Sequence, residues 1–120
     1  MQMGAVLVTD DEADIRIMLR TVLRARGWNV EEAETGEEAI ARCALGGLDI
    51  VVLDHRMPGL TGAETAKRLR EAGFTEPIVL YTAYLTNDVQ AEAAAAGLRA
   101  VAKDDLQSLL SLLDTMFPNV

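Results

Sequence analysis

The sequence has 120 residues, which against a prior of about 150 per domain leaves room for one unit. Half of the residues are hydrophobic and 4% are aromatic, enough for a core of Val, Leu, Ile and Ala but too few rings for the stacking platforms of a single-strand nucleic-acid binder. Nineteen acidic against eleven basic residues give a formal charge of −8 at pH 7, which opposes direct binding to nucleic acid or to anionic lipid surfaces.

A lone Cys43 excludes an internal disulfide, and a lone His55 excludes a multi-histidine metal site, so any metal is expected to be oxygen-ligated. No stretch approaches the roughly eighteen consecutive apolar residues of a membrane span, and the N-terminus lacks a basic run followed by an apolar one. The expectation is a cytoplasmic, soluble protein with no membrane partner.

In chain order, five short apolar runs alternate with longer amphipathic stretches. The runs are Ala5 to Thr9, Asn29 to Ala33, Asp49 to Asp54, Pro77 to Thr82 and Leu98 to Ala102, each of a length suited to a buried strand. Ile50-Val51-Val52-Leu53 is apolar at every position, which predicts a central strand covered on both faces. After the first run, Ile15, Met18, Leu19, Val22 and Leu23 recur at helical spacing until Gly27. Thr35-Gly36-Glu37-Glu38 and Thr61-Gly62-Ala63-Glu64 each match a capping box and predict two helix starts. From about Asn87 to Ala96 the chain is Ala-rich with Val89 its one large apolar residue, so this helix should pack lightly and be free to move. The last helix carries Leu106, Leu109, Leu110, Leu113 and Phe117 on one stripe, with Leu112 and Met116 widening the core face. Cys43 reads as a small core residue beside Ile40.

Right-handed crossovers turn five β-α repeats into a doubly wound α/β fold, a five-stranded parallel sheet in the order 2-1-3-4-5 with helices on both faces. Ligands of such sheets bind beyond the carboxyl ends of the strands. Asp10-Asp11-Glu12 follows the first strand and Asp54 the third, so neighbouring strands would bring carboxylates into one small volume. Such a cluster repels itself and calls for a hard divalent cation, for which Mg²⁺ is the natural candidate. Asp10 and Asp11 alone would be read as helix capping. An acid ending a wholly apolar strand, as Asp54 does, has no such structural reason. Thr82 closes the fourth strand with a hydroxyl and Lys103 closes the fifth with an ammonium.

In Val6-Leu7-Val8-Thr9-Asp10-Asp11-Glu12, Asp54-His55-Arg56-Met57-Pro58-Gly59-Leu60-Thr61-Gly62, Leu80-Tyr81-Thr82-Ala83 and Lys103, the sequence resembles the receiver domains of two-component response regulators, over essentially residues 1–120. The resemblance implies that Asp54 accepts a phosphoryl group from a sensor histidine kinase or a phosphotransfer protein. It implies Mg²⁺ on Asp11, Asp54 and the backbone carbonyl of Arg56, with Asp10 holding one of the waters of the ion, and Thr82 and Lys103 on the phosphoryl oxygens. It further implies a downstream protein or attached output domain, with a phosphorylation-dependent dimer among the forms to be expected. Such a domain is not an enzyme on other substrates; it catalyses only its own phosphorylation and dephosphorylation.

Two positions depart from the family pattern. Ala100 stands where an aromatic residue three places before the Lys is usual, and Asp104 stands where Pro often follows it. With no ring at position 100, Tyr84, two residues beyond Thr82, becomes the candidate for part of the readout. Arg56 and Tyr84 occupy places that in the family influence how long the phosphoryl group survives, and both are bulky enough to obstruct water. His55 is given no chemistry, since neighbours on a strand point to opposite faces.

Other readings stand beside this one. The receiver could be a fragment of a longer DNA-binding response regulator or a hybrid kinase, with the same chemistry. A small Mg²⁺-dependent aspartyl-phosphate phosphatase would need a cap or substrate pocket, for which about 120 residues leave little room. A degenerate interaction module is favoured by Ala100 and opposed by the joint presence of Asp10, Asp11, Asp54, Thr82 and Lys103.

Overall fold

The computed structural model describes residues 4–117. Strands and helices alternate along the chain: β1 (Ala5–Thr9), α1 (Ala13–Ala25), β2 (Asn29–Ala33), α2 (Gly36–Cys43), β3 (Ile50–Leu53), α3 (Gly62–Glu71), β4 (Ile78–Thr82), α4 (Asn87–Ala95), β5 (Arg99–Ala102) and α5 (Leu106–Met116). All strand pairs are parallel and the sheet order is β2-β1-β3-β4-β5, as the sequence predicts.

The apolar strands serve two cores because successive side chains point to opposite faces. Val6, Val8, Ile50, Val52, Val79 and Tyr81 face one side, where Leu19 and Leu23 of α1 and Leu109, Leu110 and Leu113 of α5 cover them. Leu7, Val51, Leu53, Ile78 and Leu80 face the other, under Ala39 of α2, Ala66 and Leu69 of α3, and Val89 and Ala93 of α4. Each fully buried Leu stabilises the fold by roughly 2 kcal/mol, so the sheet is held firmly from both sides. Leu112, Met116 and Phe117 pack against the first core, which accounts for the breadth of the α5 stripe. Cys43 and Ile40 pack together against the second.

Helix ends follow the capping chemistry with one difference. At α3 the box is complete: Thr61 accepts the Glu64 amide and the Glu64 carboxylate accepts the Thr61 amide. At α2 Thr35 accepts the Glu38 amide at 3.1 Å, but the Glu38 carboxylate accepts from Glu34, one residue further back. Half of that box is therefore replaced by a longer reach. Gly27, at φ 95°, takes the turn after α1.

Strand ends also shift by a residue. Asp49 lies just before β3, where its carboxylate accepts the Ala5 amide at 2.8 Å. Leu98 stays with the end of α4, donating its amide to Ala93. Registers place Thr9 beside Leu53, Leu53 beside Leu80 and Thr82 beside Ala102, so β1 and β3 end together and β4 and β5 end together two residues further along. No helix among the described residues is long and apolar enough to cross a membrane.

Candidate functional site

The carboxyl ends of these neighbouring strands deliver Asp10, Asp54, Thr82 and Lys103 to one place. Lys103 Nζ lies 2.7 Å from Asp10 Oδ2, 3.2 Å from Asp54 Oδ2 and 3.6 Å from Glu12 Oε1. Asp10, Asp54 and Thr82 are all buried. The Asp10 carboxylate also accepts the Glu12 amide at 2.9 Å, and its carbonyl accepts from Arg16 Nη1 at 2.7 Å. Asp10 thus braces the entry to α1 and faces the site at the same time. β4 and β5 are tied at their ends: the Lys103 amide donates to the Thr82 carbonyl at 2.9 Å, and the buried Tyr81 hydroxyl donates to the Lys103 carbonyl at 3.0 Å.

Gly62 closes the floor of the site. Its amide donates to the His55 carbonyl at 2.8 Å, and a Cβ there would run into the Asp54 carbonyl oxygen and come within 2.6 Å of Leu80. Only a residue without a side chain lets the first turn of α3 seat against the loop that follows Asp54.

Carboxylate oxygens of Asp10, Glu12 and Asp54 lie within 4.8 Å of one another. Three formal negative charges face one ammonium, a net of −2. Burial pushes the Asp54 carboxyl above the ordinary carboxylate range and the Asp10 charge adds to this, while Lys103 and the Thr82 hydroxyl pull the other way. Burial lowers the proton affinity of Lys103, but its hydrogen bond to Asp10 and the charge of Asp54 outweigh that, and its pKa ends raised. Asp54 Oδ1 is buried without a hydrogen-bond partner. An orphaned carboxylate oxygen, an all-oxygen donor set and uncompensated negative charge fit a hard divalent cation such as Mg²⁺.

Of the residues expected to hold the ion, Asp54 and Asp10 are in this cluster. Asp11 is exposed and is not among its three carboxylates, whereas Glu12, the next residue of the same acidic run, is. Spacing alone does not tell which of two consecutive acids turns inward where a loop enters a helix. Thr82 Oγ1 accepts the Tyr84 amide at 3.2 Å, which ties the loop behind β4 to the site. The exposed Arg56 guanidinium stacks 4.1 Å from the centre of the Tyr84 ring, a contact invisible in the sequence because it crosses between two loops. His55 turns toward α4, with Nε2 3.7 Å from Glu92 Oε2.

The family model for the response regulator receiver domain matches residues 6–114. The chain belongs to that family. Response regulator MprA of Mycolicibacterium vanbaalenii is 40% identical over 107 residues, covering 89% of this chain and 45% of that protein. Transcriptional regulatory protein ResD of Bacillus subtilis is 44% identical over 78 residues, covering 65% of this chain and 32% of that protein. Among solved structures, response regulator TrrA of Thermotoga maritima in complex with Mg²⁺ and BeF superimposes with a TM-score of 0.84 at 33% identity, over 95% of this chain and 99% of that one. The chain spans less than half the length of the two curated relatives. It is a receiver domain of the kind found in two-component response regulators.

Proposed function

We propose that residues 1–120 act as a phosphorylation-controlled signalling switch whose phosphoacceptor is Asp54. The observation that carries this is the buried Asp54 carboxylate held 3.2 Å from Lys103 with Asp10 and Thr82 at its side. In the transfer, an Asp54 oxygen forms a bond to phosphorus as the N–P bond of a phosphohistidine donor breaks and the imidazole takes up a proton. The transition state is loose, so the work of the protein is to align the donor and to stabilise charge on the equatorial oxygens. Lys103 supplies a fixed cation for those oxygens and Thr82 a hydroxyl donor.

Asp54, Asp10 and Glu12 would hold Mg²⁺, a reading supported by their clustered carboxylates; family resemblance adds Asp11 and the Arg56 carbonyl. When bound, the ion supplies positive charge that removes the repulsion between an anionic nucleophile and an anionic donor. Arg56 stacked on Tyr84 forms a bulky wall beside the acceptor, which supports a slow loss of the phosphoryl group to water.

Donors of the matching chemistry are a sensor histidine kinase or a phosphotransfer protein. The lengths of the curated relatives favour a second arrangement of the same chemistry, in which this receiver works within a longer regulator and passes its signal to an attached output domain. Incubation with a small acyl phosphate, with and without Mg²⁺, followed by mass spectrometry tests the reading. One added phosphoryl group on Asp54, dependent on Mg²⁺ and absent in Asp54→Asn, is expected; full phosphorylation of that variant refutes the assignment.

A further inference from the structure

We propose that the two residues following the acceptor, His55 and Arg56, form a two-point clamp on the segment from Tyr84 to Glu92 and carry the state of Asp54 to α4; this rests on Asp54 being the acceptor. Arg56 grips the start of that segment through the Tyr84 ring at 4.1 Å, and His55 grips its far end through Glu92 at 3.7 Å.

Little else fastens α4. Its buried residues are Val89 and Ala93, and its other side chains toward the fold are methyl groups. Among the described residues, the His55–Glu92 contact is the one polar side-chain tie between α4 and another element. From β5, the side chain available to press on this face is the methyl of Ala100. A helix so lightly seated takes its position from whichever ties reach it, and both reach it from the acceptor loop.

That loop cannot shift at one end only. The His55 carbonyl is bonded to Gly62 at the start of α3, and Thr82 holds the Tyr84 amide. A phosphoryl group on Asp54 brings roughly −1.5 to −2 charge and three acceptor oxygens into this frame, redrawing the contacts of Lys103 and Thr82. Residues 55 and 56 then hand the displacement to Glu92 and Tyr84. A stacked cation and a solvent-exposed polar contact each shift a two-state equilibrium by about two- to fivefold, so the pair together sets the α4 equilibrium by about tenfold.

Amide hydrogen exchange, read peptide by peptide, tests the clamp. In ligand-free protein, exchange across Asn87–Ala95 should quicken about two- to fivefold in Glu92→Ala and in Tyr84→Leu, and about tenfold in the double variant, with β1 and β3 unchanged. Mg²⁺ with beryllium fluoride, a phosphoryl mimic, should alter exchange in α4 of the wild type but not of Glu92→Ala, while residues 54–62 gain protection in both. The clamp is overturned if the ligand-free double variant stays within twofold of wild type, or if α4 responds to the mimic equally with and without Glu92. Failure of the mimic to protect residues 54–62 of the wild type counts instead against Asp54 as the acceptor, and the ligand-free comparison still decides the clamp.

Discussion

Lys103 stands nearer to Asp10, at 2.7 Å, than to the proposed acceptor Asp54, at 3.2 Å. The ammonium is therefore a structural counter-ion before it is a phosphate ligand. Lys103→Met leaves buried carboxylates uncompensated and should cost about 3 kcal/mol in denaturant unfolding without divalent ions. Mg²⁺ at ~10 mM should recover more stability in the variant than in the wild type, since ligand binding to the folded state adds RT ln(1 + [L]/Kd). Equal recovery in both proteins would show that Lys103 and the ion do not share a charge burden.

Removing the acceptor's charge should have the opposite sign. Burial and Asp10 raise the Asp54 carboxyl, so the folded state binds its proton more tightly than the unfolded chain does. Its stabilising contribution is full below the ordinary carboxylate value of 3.8 and is lost as pH rises through the raised folded value. Asp54→Asn should accordingly be more stable than wild type at pH 7 by about 1 kcal/mol, roughly 4 °C in Tm, and flatter in its pH dependence. Calorimetry in chelator at several pH values measures both; a lower Tm for the variant at pH 7 contradicts the assignment of strain to this carboxylate.

Gly62 is required by space rather than by backbone freedom. A methyl group there meets the Asp54 carbonyl oxygen and lies 2.9 Å from His55 Cα. Gly62→Ala should cost about 2 kcal/mol and slow phosphorylation of Asp54 by displacing its loop. Urea unfolding and a phosphorylation time course read the two effects, and a neutral substitution on both counts would mean that α3 can slide away at no cost.

On the β2 edge, Arg42 hydrogen-bonds Glu31 and holds its carboxyl below the usual value of 4.5. This contribution is present above the unfolded pKa and lost as pH falls through the depressed folded one. The pair is solvated, so Glu31→Gln should cost only about 0.5 kcal/mol at pH 7, and nothing once the wild-type carboxyl is protonated. Paired melts at pH 7 and under strongly acid conditions check the sign.

Cys43, the last residue of α2, packs against the second core, and burial pushes its thiol up to about 11 from an ordinary 9.0. At pH 8 its thiolate fraction falls by about a hundredfold, so alkylation of the native protein should be slower than that of the unfolded chain by at least that factor. Rapid labelling under native conditions would place the thiol in solvent.

The fold was largely legible because the central strands β1, β3 and β4 are nearly continuous apolar runs and a two-sided sheet needs such runs. Asp10, Asp54, Thr82 and Lys103 were legible for a related reason: each directly follows or ends a strand, and the parallel sheet gathers those carboxyl ends along one edge. What spacing did not disclose lies in the loops. Glu12 turning toward Lys103 while Asp11 faces solvent depends on how the chain enters α1. The reach of Glu38 to Glu34 rather than Thr35 is likewise set by local backbone geometry. The contacts of Arg56 with Tyr84 and of His55 with Glu92 join segments that no periodicity relates.

Trp28, the lone indole of the chain, stacks on Phe117 with ring centroids 5.3 Å apart, and both rings belong to the core shared by α1 and α5. It precedes β2, at the end of the sheet remote from Asp54. Intrinsic indole emission is thus a gauge of how firmly the final helix is seated, while a fluorophore introduced near Tyr84 would report on events around Asp54.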